Sequence, residues 1–210
     1  MGDKDPRFTF VFISALYCKM ALTEILYLSE AVRSQEELNL LNSYTIRFYR
    51  ITLQYCFNSE YNKLLEPDRG KAKKKHMASL HKLNNTLYNA DKIGFQPIYS
   101  ENKKLLQSIV KSDFHDKQRQ LRNKKFSHAD QAPIDNPLQI RGLTDEEIKE
   151  GFEHLKIVYQ VLNNCVRIFG VDYDPHIDDS TNNFIKYHAI YQKYFHDNYM
   201  RAHTEGYKLH

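Results

Sequence analysis

The sequence predicts an all-α protein, a helical bundle of five or six helices. Three observations predict it. Apolar residues recur at three- and four-residue intervals along most of the chain, with no strand-like alternation. Only 7 Gly and 6 Pro punctuate 210 residues, too few for the many tight turns of a β sandwich. Two paired cap signals, Ser34 with Glu37 and Thr144 with Glu147, mark helix starts directly. A chain of this length suits one domain with a hydrophobic core. Residues 1–210 are therefore read as one helical domain, with 171–210 as a C-terminal helical extension.

The first helix is expected over Phe8 to Arg33, where Val11, Phe12, Ala15, Leu22, Ile25, Leu26 and Val32 keep helical spacing. Ser34 then opens a second helix that carries Leu41, Tyr44, Phe48, Ile51 and Tyr55 on one stripe and fades before Pro67. A third is expected from about Lys71 to Tyr88, with Met77, Leu80, Leu83 and Leu87 as its apolar side. Lys71, Lys73, Lys74 and Lys75 open it, and bases there oppose the helix dipole, so they are read as a solvated face or an RNA contact.

Gly94 and Pro97 mark a turn, and a fourth helix follows from about Ser100 to Asn123, with Leu106, Val110, Phe114 and Leu121 inward. Pro133, Pro137 and Gly142 belong to a loop. The clearest helix comes next: Thr144 and Glu147 cap it, Leu143 and Ile148 are placed as a hydrophobic staple, and Gly170 supplies the C-cap. A last helix is expected from Asp179 or Ser180, carrying Phe184, Tyr187, Tyr191 and Tyr194.

Composition narrows the function classes. Cys18, Cys56 and Cys165 lie far apart, without the close pairs of zinc sites or small disulfide scaffolds, and read as reduced thiols of a cytoplasmic protein. The apolar run Phe8–Cys18 follows a flank of no net charge and is interrupted further on by Lys19 and Glu24. It is read as a packed first helix, neither a signal peptide nor a membrane span. No Gly-rich phosphate loop and no Gly-x-Ser-x-Gly elbow is present. The acidic residues near His176 and the scattered C-terminal histidines lack metal-ligand spacing and are read as solvated.

Charge is unevenly spread. Between Glu101 and His128, Lys103, Lys104, Lys111, Lys117, Arg119, Arg122, Lys124 and Lys125 face only Glu101, Asp113 and Asp116. This one element therefore carries more positive charge than the +4 of the whole chain. At its end stands Arg122-Asn123-Lys124-Lys125-Phe126-Ser127-His128, an Arg and a polar residue followed, after five intervening positions from the Arg, by His. Histidine exchanges protons near neutral pH. Arginine presents a planar, permanently charged fork to phosphate oxygens, and an Asn amide can orient either partner.

This motif resembles that of the HEPN superfamily (higher eukaryotes and prokaryotes nucleotide-binding), in which Arg precedes His by four to six intervening residues. The stretch Leu121 to Asp130 is most similar to the branch associated with abortive infection in bacteria. The similarity covers the motif closely and the remainder as helix order only. It implies a metal-independent endoribonuclease without a cofactor, serving as a toxin or phage-defence effector. The implied catalytic residues are Arg122 and His128, with Asn123 beside them. It also implies a homodimer whose motifs line a shared cleft, and a separately encoded antitoxin as a further partner. RNA is the expected ligand, with Lys117, Arg119, Lys124 and Lys125 on its backbone.

Helical geometry adds a condition. Six residues at about 100° each give a net rotation of about 240° between Arg122 and His128 on an unbroken helix, which faces them apart. The helix must end or distort between them, or the pair must act across a subunit boundary. His115, Arg119 and Arg122 follow one another at one-turn spacing, so His115 and Arg119 are expected to widen the same face. Another reading stays open: Arg122 could pair structurally with an acid such as Asp116, and His128 could cap a helix. The chain would then be a catalytically inactive helical module that binds nucleotide, RNA or a protein partner.

Overall fold

The computed structural model describes residues 6–29, 33–68, 79–89, 96–123, 142–169 and 193. Every element among these residues is helical: α1 Pro6–Leu28, α2 Gln35–Leu41, α3 Tyr44–Leu64, α4 Leu80–Asn89, α5 Gln96–Val110, α6 Asp113–Leu121 and α7 Asp145–Phe169. The all-α expectation holds. The helix count differs, because two of the expected long helices are each broken once.

The breaks have a common cause. Ser43 turns its hydroxyl back to the Ile46 backbone N–H at 3.4 Å, which starts α3 and separates it from α2. Ser112 does the same for His115 at 3.1 Å, which separates α6 from α5. Ser79 caps the Lys82 N–H at 3.3 Å, so α4 begins at Leu80, well after Lys71. A serine oxygen at such a position satisfies a donor that the helix start leaves open, and so favours a new start over continuation. The lysines at 71, 73, 74 and 75 lie outside the described residues, as do Gly170 and the expected last helix, Lys193 excepted. Pro97 lies in the first turn of α5 rather than in the turn before it, a place where its missing N–H costs nothing.

Both capping boxes form. Ser34 accepts from Glu37 N–H at 3.2 Å and Glu37 accepts from Ser34 N–H at 2.8 Å. Thr144 and Glu147 make the same reciprocal pair at 3.2 and 3.0 Å.

The core lies where α1, α3 and α7 meet, with α4, α5 and α6 closing its sides. From α1 come Val11, Ala15, Cys18 and Leu22; from α3 Phe57, Tyr61 and Leu64; from α7 Leu155, Val158 and Leu162. A Cβ at Gly151 would lie 2.9 Å from Leu22 Cδ1 and 3.5 Å from Phe114 Cζ, so glycine there lets α7 approach α1 and α6 closely. A smaller cluster of Leu28, Leu40, Leu41 and Ile46 seats α2.

By length and composition, Arg7–Leu28 is long and apolar enough to cross a membrane. In the fold one of its faces is packed in the core, while Phe10, Ile13, Tyr17 and Met20 are exposed on another. The stripe expected on the second helix is also turned: Tyr44, Phe48 and Tyr55 of α3 are exposed, and Gln54, Asn58 and Asn62 are buried in their place.

Candidate functional site

Helix α6 is short, amphipathic and polar on both sides. Asp113 and Asp116 occupy its first turn, where carboxylates favour the positive end of the dipole. Its outer face exposes Asp116, Lys117, Arg119 and Gln120, and its inner face buries Phe114, His115 and Gln118. Phe114 locks the helix in place by an edge-on contact with Tyr61 at 5.7 Å and another with His154 at 5.2 Å.

The last turn is held by amides. Asn58 of α3 donates through Nδ2 to the Gln118 backbone oxygen at 2.8 Å and to Gln118 Oε1 at 3.0 Å. Asn62 donates to the Asn58 backbone oxygen at 2.7 Å and more weakly to the Gln118 oxygen at 3.4 Å. Just past this clamp the regular α-helix stops at Leu121, and Arg122 and Asn123 continue in a wider π-type turn. Such turns change the angular spacing of side chains and recur at functional sites. Arg122 itself keeps αR backbone angles, φ −55° and ψ −52°, with its N–H toward the Gln118 and Arg119 oxygens, and residues 124–141 lie outside the described residues.

Arg122 is half-buried and Asn123 exposed. Asp116, the acid considered as a structural partner for Arg122, instead pairs with Arg119 at 3.0 Å. Among the described residues no carboxylate pairs with Arg122. Lys117 reaches Glu147 of α7 at 3.8 Å. His128, Lys124 and Lys125 lie outside the described residues.

His115 is not where the spacing rule puts it. Instead of widening the exposed face of Arg119, it turns inward, 6% exposed, with its ring 5.9 Å from Tyr61. Burial lowers its pKa, Arg119 lowers it further, and its Nδ1 has no hydrogen-bond partner. Tyr61 is bonded to His154 Nδ1 at 2.6 Å; burial holds the phenol well above its usual range and pushes His154 down to about 4. Both imidazoles are therefore neutral at pH 7. His115 belongs to this interior cluster and not to an RNA-facing surface.

One feature escaped the sequence. Beside the last turn of α6 is a pocket of about 290 Å³ with buried amides, Gln54 and Gln118, in its wall. Leu121 and Leu143 give it apolar sides, Lys117 and Glu147 stand at it as a pair, and Gly142 completes it. The available signal was the Gln54, Asn58, Asn62 repeat, an i, i+4 row of amides along α3. Among the described residues no group of three His, Cys, Asp or Glu side chains is placed to hold a metal ion. Comparison with family models, curated proteins and solved structures finds no match, so the functional reading rests on the residues themselves.

Proposed function

We propose that the chain is a metal-independent endoribonuclease of the HEPN type, acting as a homodimer, with its reactive centre at the end of α6. The observation that carries this reading is the state of Arg122. It stands at the end of the basic element, at the point where the helix widens, and no carboxylate among the described residues neutralises it. A structural ion-pair arginine would be matched by an acid; here Asp116, one candidate, is engaged by Arg119.

RNA carries its own nucleophile. In this mechanism His128 takes the proton of the 2′-hydroxyl as its oxygen bonds to phosphorus. The bond to the 5′-oxygen breaks, and that oxygen leaves with a proton from the imidazolium or from water. Arg122 balances the charge gathering on the phosphoryl oxygens, and Asn123 orients the phosphate or the imidazole through its amide. Lys117, Arg119, Lys124 and Lys125 hold the backbone, which makes affinity fall steeply with salt. The apolar side chains exposed on α1 and α3 offer a second copy a surface to bury.

The test is cleavage of total cellular RNA in EDTA by wild type, Arg122→Ala and His128→Ala. The proposal expects 2′,3′-cyclic phosphate ends from wild type and at least a hundredfold loss, roughly, in either folded variant. Cleavage that is unchanged in both variants, or that stops when EDTA is added, overturns it.

A further inference from the structure

We infer that the pocket between the last turn of α6 and the start of α7 is a nucleobase-binding subsite for the nucleotide next to the cut. The inference rests on the RNA substrate proposed above and adds to it the source of base preference.

The pocket's position comes first. Leu121 is part of its wall, and Arg122 follows it in the chain, so the pocket lies beside the helix end that carries Arg122. Its size comes second. At about 290 Å³ it sits at the lower limit of small-molecule sites, room for one heterocycle and not for a dinucleotide.

Its chemistry selects among ligands of that size. Leu121 and Leu143 present apolar walls, which suit the faces of a flat ring. Gln54 and Gln118 are 3% and 2% exposed, so their amides are fixed in the wall and are not mobile surface groups. Gln118 Oε1 accepts from Asn58 Nδ2 at 3.0 Å, which fixes the orientation of the amide, and its Nε2 is the donor end of that group. An amide donor of that kind meets a ring nitrogen or carbonyl on the edge of a base. Lys117 lies 3.8 Å from Glu147, so the two charged residues in the pocket wall are of opposite sign. A neutral, planar, acceptor-bearing ring is the ligand that fits all three properties.

Gly142 provides the test. Gly142 is in the pocket wall and an added Cβ there meets nothing within 4 Å, so Gly142→Trp brings bulk to the pocket without a clash at its Cβ. The full-length protein is titrated by NMR with each of the four nucleoside 5′-monophosphates, with ribose 5-phosphate and inorganic phosphate as controls. The expected result is binding of at least one nucleotide, discrimination of at least about tenfold between the best and worst base, and a similar loss in Gly142→Trp. Gln118→Leu, which keeps the volume and removes the donor, is expected to flatten the base preference.

The inference is overturned if no nucleotide binds. It is equally overturned if ribose 5-phosphate binds as well as the nucleotides, or if Gly142→Trp binds unchanged. Base binding without RNA cleavage would contradict the proposed activity and leave the subsite standing. Cleavage with the same base preference in Gly142→Trp would do the reverse.

Discussion

Among the described residues, two buried polar clusters are built differently. Between α4, α5 and α7, Asn84 donates to the Tyr99 backbone oxygen at 3.1 Å, Asn102 to Asn84 Oδ1 at 3.1 Å, and Asn164 to Asn102 Oδ1 at 2.8 Å. Asn102 Nδ2 also meets Cys165 Sγ at 3.7 Å. Each amide in that chain is matched to the next. Between α3, α6 and α7 the pairing is incomplete: Asn58 Oδ1 and His115 Nδ1 are buried with no hydrogen-bond partner.

A network whose amides are bonded to one another fixes one packing and leaves little for a ligand. An open one costs stability where it stands. Such costs gather at sites that need spare hydrogen-bonding capacity. The open cluster is the one that clamps the last turn before Arg122 and backs the pocket. The spare hydrogen-bonding capacity thus lies beside α6, where the proposed site is, and the α4–α5–α7 amides are bonded to one another.

The largest expected effect comes from breaking the closed chain. Asn102→Leu keeps the size of the side chain and strands its neighbours Asn84 and Asn164, at a cost of about 2–4 kcal/mol in urea unfolding at pH 7. The same change at Asn58 also removes an oxygen that already has no partner, so a loss nearer ~1 kcal/mol is expected. Equal losses at the two sites would remove the distinction between the clusters.

pH sharpens the same comparison. The pKa values of His154 and His115 are depressed in the fold, so the native state binds fewer protons than the unfolded chain below the ordinary histidine range. That contribution is present above pH 6.5 and is lost as pH falls through it towards 4. For His154 it amounts to about 3 kcal/mol. His154→Gln is expected to flatten the unfolding curve across that window. Asn102→Leu should leave its slope alone, since no imidazole belongs to the closed chain. A wild-type stability that does not change between pH 6.5 and 4 would contradict the buried, neutral state of His154.

The smallest expected effect on stability lies on the outer face of α6. Arg119→Ala removes an exposed pair with Asp116 and should cost less than about 1 kcal/mol. It should nevertheless weaken RNA binding and reduce the slope of affinity against salt by about one unit, as filter binding across a salt series would read. An unchanged slope would remove Arg119 from the RNA surface.

What was legible in the sequence follows from which partners it displays. Ser34 with Glu37 and Thr144 with Glu147 show both halves of a cap within four residues, and both helix starts fall where expected. Ser43, Ser79 and Ser112 have Ile46, Lys82 and His115 at the matching position, so half the signal is missing and the breaks passed unread. The buried side of α3 was misread for a related reason. Local pattern puts Tyr44, Phe48 and Tyr55 inside and amides outside. The fold buries Asn58 and Asn62 because Gln118, about 60 residues away, supplies their acceptor. His115 likewise shares a helical row with Arg119 and Arg122, yet Tyr61 and His154 draw it into the core. Of the Arg122–His128 stretch the structure describes Arg122 and Asn123, and the rest is read from the sequence alone.

The most direct test of the central claim uses an RNA with one mapped cut, made in two forms that differ only by a 2′-deoxyribose at that position. Wild-type protein in EDTA should cut the ribose form to a 2′,3′-cyclic phosphate and leave the deoxy form whole, and folded Arg122→Ala should cut neither. A cut that persists in the deoxy form, or in Arg122→Ala, would contradict a 2′-hydroxyl reaction centred on the end of α6.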